Sequence, residues 1–510
     1  MPMPPKLINK LSIKRQARRL PLLPGTALKK VTSKSGLGVY ASADTLFKGA
    51  VFGRDSLVVA EDIMMLKPKL ASQILITLAS LQGEGKNAGS EEEPGKIIHE
   101  YRTITVEGQP LNATSRRIFE DLSARWSGDG KVLAYYGSVD ATPHFVRAIC
   151  SYARLFGEEI LAAEIRLRSG RRTTMLNCLE QAVFWLSAKL ESSSSGLLEF
   201  KRLNPDGIEN QVWKDSREFY THSDGMPANH SRPIASIEAQ ALAYDALVMA
   251  ADMLAGYRRN LLRLAEKVRD ETIRLFWWPE RDYFALGLDY NNRNQPRIFQ
   301  VMTANPAEML NSRLFDGLAG QARQKYVSAL AREIMGTEFL TDAGIRSRAL
   351  SEAELVDFWD YHGSYTSWPK ETYDIAKGLR RHGLPMLARE LENRLLNVTR
   401  AVRAYPEFFY VDGRGRILGM PGASRGHGYV VIVESHNQPE KIQAWTASAV
   451  MAIYGGRRPW RHHPPQDQEL WQAELEKEIY SFIPHVKVMR STKELAAHYP
   501  DYPYILERTK

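Results

Sequence analysis

The chain has 510 residues, 44% of them hydrophobic and 25% charged, a globular composition with enough apolar material for a large core. Lys and Arg outnumber Asp and Glu by 68 to 59, giving a formal net charge of +9. The excess gathers in "KLINKLSIKRQARRL" and "LKKVTSK", but no zinc-ligand spacing or RNA-binding aromatic signature accompanies it, so no nucleic-acid partner is expected. No apolar run approaches the roughly 18 residues that cross a bilayer, so no membrane association is expected. The start lacks an apolar signal core, and the only cysteines, Cys150 and Cys178, lie in apolar helical patterns. Reduced, buried thiols and a cytoplasmic location follow as expectations; oligomeric state leaves no trace.

Taken in chain order, the pattern is helical. "DSLVVAEDIMMLKPKLASQILITLASLQG" reads as two helices broken at Lys67-Pro68, because proline cannot continue a helix. "PHFVRAICSYARLFG", "TTMLNCLEQAVFWLSAKL", "PIASIEAQALAYDALVMAADML" and "YRRNLLRLAEKVRDETIRLFWW" follow. Then come "LAGQARQKYVSALAREIM", "TYDIAKGLRRHGL", "PMLARELENRLLNVTRAV" and "IQAWTASAVMAIYGG". Each has apolar residues at three- and four-residue spacing. The segments 84–143, 191–232, 278–306, 337–370 and 405–440 are rich in Gly, Asp, Asn, Tyr and Trp. Strand-like alternation is sparse and short. Long loops of this kind carry function. A dozen or so paired helices, with such loops gathered at one mouth, suit a closed ring of helical hairpins.

Within these loops, "NQVWKDSREF" sets Trp213 two positions before Asp215. An indole can stack on a sugar face, and a neighbouring carboxyl can exchange a proton with it. Aromatics at 10%, with 10 Trp and 22 Tyr, are what carbohydrate platforms use. Asp215 could equally cap a helix. Six other words flank this one in order: "FGRDSL", "EEEPGKIIHE" and "YYGSVDATP" before it, "YHGSYTSWP", "YPEFF" and "QAWTASA" after it. Together they resemble the amylo-α-1,6-glucosidase, or bacterial glycogen-debranching-like, family of six-hairpin glycosidases over residues 45 to 455.

That resemblance implies an all-α fold, the (α/α)6 barrel, and hydrolysis of an α-glucosidic bond from a non-reducing end. It makes Asp215 the general acid, with burial beside Trp213 expected to raise its pKa. It makes Glu407 of "YPEFF" the general base that activates water. Single-displacement, inverting chemistry then places the two carboxyls about 6.5–9.5 Å apart. By the same likeness Arg54 and Asp55 grip the non-reducing sugar, while Asp140, Trp368 and Trp445 join Trp213 in the pocket. Glu218 and Asp224 remain rivals of Asp215, and Glu434 and Glu440 rivals of Glu407. His99, His362 and His436 read as pocket wall or surface. No metal spacing, Walker loop or dinucleotide turn occurs, so no metal or cofactor is expected and the partner is a carbohydrate substrate.

The expected organisation is a basic extension over 1–45, a catalytic domain over 46–460 and a helical extension over 461–510 packed on the barrel. The 51 residues that precede "FGRDSL" are too few for the β-rich domain that precedes many debranching-like barrels, which favours a small glucoside beside a branched dextrin. Two other functions share the pattern. A sugar epimerase on the same barrel would shuttle protons through His362 and His436, and a catalytically silent protein would bind sugar without cleaving it.

Overall fold

The computed structural model describes residues 23–43, 46–358, 360–419, 439–456, 468–489 and 491–498. Among them are fifteen α-helices and seven small antiparallel sheets of two or three strands, no strand exceeding four residues. The Lys67-Pro68 break falls between the helices Gly53–Ile63 and Pro68–Ser80.

Two kinds of helix alternate along the chain, and composition separates them. Ile237–Met253 buries 14 of its 17 residues, as a helix covered on every side must. The next helix, Arg258–Phe276, buries only Leu261, Leu264, Ala265, Val268, Thr272 and Phe276, a single stripe facing inward with the rest in solvent. Pro369–Arg381 and Pro385–Val402, joined by a short turn, pack against each other, and both are largely buried.

The buried helices pack neighbour to neighbour. Gly53–Ile63 lies against Ala141–Phe156, which lies against Ile237–Met253. Ile237–Met253 meets the short Asn305–Glu308 helix, which meets Pro369–Arg381. Pro369–Arg381 meets Ala444–Gly456, and Ala444–Gly456 returns to Gly53–Ile63. One continuous apolar core runs between this succession and the outer helices. It includes Ala27, Leu28 and Val31 of the helix Pro24–Val31, and Leu475 and Ile479 of the helix Leu470–Phe482.

The first turns of the buried helices carry Arg54, Asp55, Trp445 and Glu371, and Asp140 and Trp368 immediately precede two of them. Long loops connect these ends. The strand Thr366–Ser367 pairs with Phe409–Val411, with Ser367 opposite Phe409 and Thr366 opposite Tyr410. This pairing ties the segment leading into Trp368 to the hairpin that follows Glu407. Helix N-termini carry partial positive charge, which suits the carboxylates collected there.

Candidate active site

Arg54 is held among several acids. Its Nη1 donates to Asp140 Oδ2 at 3.0 Å, and its Nε lies 3.8 Å from Asp55 Oδ1. Asp140 occupies the position before helix Ala141–Phe156 yet makes no side-chain cap. Its other oxygen accepts from Ser138 Oγ at 2.6 Å, so the carboxylate is spent on orienting Arg54. Asp55 is 6% exposed, and Gln443 Nε2 donates to it at 3.3 Å. Burial pushes the Asp55 carboxyl up to about 7, against the lowering charge of Arg54.

Asp215 lies in a loop; the next helix begins at Ile237, so it caps nothing. Tyr361 OH donates to its Oδ1 at 2.8 Å, and His362 Nε2 stands 3.7 Å from the same oxygen. The side chain keeps 26% of its surface exposed. The expected rise in its pKa is not found. Burial does push the carboxyl up, but His362, Arg54 and Tyr361 outweigh it and hold it below the usual carboxylate range. His362, 1% exposed and held at about 4 by burial, is neutral at pH 7. Arg54 and Tyr361 are then what keeps Asp215 ionised.

Glu407 behaves oppositely. Burial, then the charges of Glu440, Asp55 and Asp215, push its carboxyl well above the ordinary value. Its Oε2 accepts from the Glu440 backbone N–H at 3.3 Å, and Thr446 Oγ1 holds the preceding Pro406 carbonyl at 2.7 Å. Glu440 itself is buried and accepts from Ser42 Oγ at 2.7 Å. The geometry thus brings Arg54, Asp55, Asp140, Asp215 and Glu407 into one electrostatic group. Glu218 and Asp224 are exposed on a surface turn. Glu434 and His436 lie outside the described residues.

The tryptophans depart from expectation as stacking platforms. Trp213, Trp368 and Trp445 are 4%, 2% and 5% exposed and form a buried layer. Trp213 meets His362 edge-on at 5.2 Å, and His362 stacks on Trp368 at 4.6 Å. Trp368 stacks on Phe408 at 4.9 Å and meets Trp445 edge-on at 5.7 Å. The Trp213 indole N–H is committed to Glu308 Oε1 at 2.8 Å, and Trp368 Nε1 donates to the Tyr361 carbonyl at 2.6 Å. The rings therefore back the site rather than offer a sugar a free face. His99 is buried edge-on between Phe52 and Tyr135.

Tyr361, Ser138 and Gln443 are contributors that residue type alone did not single out, although each sits inside one of the quoted words. Among the described residues, no cluster of three or more His, Cys, Asp or Glu is arranged to hold a metal ion. No described helix is long and apolar enough to cross a membrane. Cys150 and Cys178 are free and buried, and burial pushes their thiols up to about 12 and about 11.

No protein-family model and no curated protein matches this sequence. Solved structures do. The GH63 mannosylglycerate hydrolase of Thermus thermophilus in complex with glucose aligns over 85% of this chain and 99% of its own, at 12% identity and a TM-score of 0.50. The same enzyme in complex with Tris aligns over 85% and 100%, at 14% identity and a TM-score of 0.51. A structure described as a wild-type glycosidase aligns over 88% and 98%, at 11% identity and a TM-score of 0.50. At such identities the likeness is one of fold.

Proposed function

We propose that the protein is a glycoside hydrolase on an (α/α)6 barrel, with Asp215 as general acid and Glu407 as general base. The carrying observation is the convergence of both carboxyls with Arg54 and Asp55 at the N-terminal ends of the buried helices. The shared fold supports it, since the Thermus and glycosidase structures are of sugar-cleaving enzymes. The succession of buried helices, each paired with an outer one, supports the barrel. The bond cleaved is an α-glucosidic one at a non-reducing end, in a small glucoside or at a branch point. That the Thermus enzyme is named for a small glycoside and was bound to glucose favours the small glucoside.

The acid must hold a proton and the base must lack one. With no sugar present the Asp215 carboxyl is held below the usual range and the Glu407 carboxyl well above it, so Asp215 is the readier of the two to lose its proton. The two are coupled, since the charge on Asp215 is one cause of the high Glu407 pKa. A sugar covering the exposed part of Asp215 removes its water and raises it. As Asp215 takes up a proton, its charge no longer acts on Glu407, which then releases one. Asp215 protonates the departing oxygen, while Glu407 draws a proton from water attacking the opposite face of the ring. Arg54, fixed by Asp140, and Asp55 are placed to hold hydroxyls of the same ring.

The resting electrostatics favour a second assignment, with Glu407 as acid and Asp215 as base. A glucosyl fluoride separates the two, because fluoride leaves without protonation. A variant lacking the acid keeps activity on the fluoride, and a variant lacking the base does not. For the epimerase, no observation favours it: His362 is buried behind Asp215. Turnover of a panel of branched dextrins, isomaltose, trehalose and glucosylglycerate tests the hydrolase reading; binding of sugars with no cleavage of any of them would replace it with a silent binding protein.

A further inference from the structure

Neither carboxyl of the proposed pair stands on a helix. Both ride on irregular backbone, which holds its geometry only where something outside the segment fixes it. The three residues Arg346, Ser347 and Arg348 supply that fixing from a single short stretch, and all three are 1% exposed or less.

Arg348 reaches towards Asp215. Its Nη2 donates to the carbonyl of Phe219, four residues past Asp215, and its guanidinium lies 5.2 Å from the Phe219 ring centroid. Ser347 grips the other side of the same loop, its carbonyl accepting from Lys214 Nζ at 3.2 Å. Lys214, directly before Asp215, is locked to Glu371 at 2.6 Å with both side chains fully buried, and Ser347 Oγ donates to Glu371 at 3.1 Å. Arg346 reaches the other way. Its Nη2 donates to the carbonyl of Asp412 at 2.6 Å, in the hairpin that follows Glu407, and its Nη1 to the carbonyl of Ser364 at 2.6 Å. The Ser347 N–H donates to the Thr366 carbonyl at 3.2 Å, within the segment that also carries Tyr361 and His362.

A guanidinium presents several donors in a rigid fork, so one arginine can hold carbonyls of separate segments at a fixed spacing, where a lysine offers one flexible donor point. We propose that Arg346 and Arg348 are positioning residues that together set the separation of the Asp215 loop from the Glu407 hairpin. The proposal rests on the hydrolase reading for its catalytic consequence and on geometry alone for the clamp. Loosening it displaces the reacting groups without removing either, and a displacement of about 1 Å costs on the order of 100-fold in rate.

The test compares Arg346→Lys and Arg348→Lys with Arg394→Lys, all in the full chain. Arg394 is also buried and also donates to carbonyls, those of Thr341 at 2.8 Å and Pro484, but those segments carry neither carboxyl. Backbone amide exchange is measured over 214–220 and 407–412, with kcat and KM on whichever glucoside the wild type cleaves. The expected result is faster exchange over 214–220 in Arg348→Lys and over 407–412 in Arg346→Lys, a ten- to hundred-fold fall in kcat with KM within about threefold in each, and neither change in Arg394→Lys. The Met variants are expected to show the same exchange pattern where they fold; the Lys variants, which keep the buried charge, serve where they do not. Unchanged exchange in the two segments, or an equal loss in Arg394→Lys, would overturn the clamp. Faster exchange in a protein whose wild type cleaves no glucoside leaves the clamp standing and removes the hydrolase reading instead.

Discussion

The Tyr361 hydroxyl donates to Asp215 Oδ1 at 2.8 Å across 146 residues of chain. A neutral donor on a carboxylate stabilises the ionised form, and this bond is one of the causes that hold Asp215 below the usual carboxylate range. Removing the hydroxyl therefore raises the Asp215 pKa.

Tyr361→Phe is thus expected to shift the acid limb of the kcat/KM pH profile upward, because that limb follows the lower of the two free-enzyme carboxyls, Asp215. With Asp215 as acid the plateau rises as well, since more of the enzyme carries the required proton. A shifted limb with no rise in the plateau would make Asp215 the base, and an immobile profile would detach Tyr361 from the chemistry.

Asp55 ties function to stability. Burial, first among the causes, raises its carboxyl to about 7 in the folded protein, against about 3.9 in an unfolded chain. The folded state therefore keeps a proton that the unfolded state releases. The stability this gives is whole below about pH 4 and is lost as pH rises through 7. Asp55→Asn cannot ionise, so it is expected to melt close to wild type at pH 4 and increasingly above it up to pH 7–8, by on the order of 4 kcal/mol. Its KM should rise as the hydroxyl contact is lost. Melting curves across pH check the first claim; a constant offset at all pH values would contradict it.

The Lys214–Glu371 pair is fully buried at 2.6 Å. Removing one member strands the other in the interior, at about 3–5 kcal/mol. Lys214→Met is therefore expected to lower stability by about that much, and the double variant Lys214→Met with Glu371→Leu to recover most of it. Denaturant unfolding of the two singles and the double measures the coupling. A double variant no more stable than Lys214→Met would mean that the pair is not acting as a unit.

The helices were legible because burial imposes period. The Lys67-Pro68 break and the helix around "QAWTASAVMAIYGG" could be read directly. Ala113–Arg125 was not, since only Ser115, Phe119 and Ser123 are buried in it; Asn112, which caps it through Ser115 N at 2.8 Å, was the one local signal. At the candidate site, Arg54, Asp55, Asp140, Asp215 and Glu407 each stand in one of the words, but their pairing does not. That Asp140 spends its carboxylate on Arg54, 86 residues away, is a fact of tertiary packing. The burial of the tryptophans was hidden for a related reason: stacking on a ligand and packing in a core call for the same residue, and only burial separates them. The sign of the Asp215 shift was likewise hidden, because Arg54 and Tyr361 come from distant segments.

The most direct test is hydrolysis of an α-glucoside by wild type, Asp215→Asn and Glu407→Gln, with the anomer of the fresh product read by NMR. The expected result is β-glucose from the wild type and a loss of orders of magnitude in both variants, with glucosyl fluoride still cleaved by Asp215→Asn alone. Release of α-glucose would contradict inversion, and near-normal turnover in either variant would contradict the pair itself.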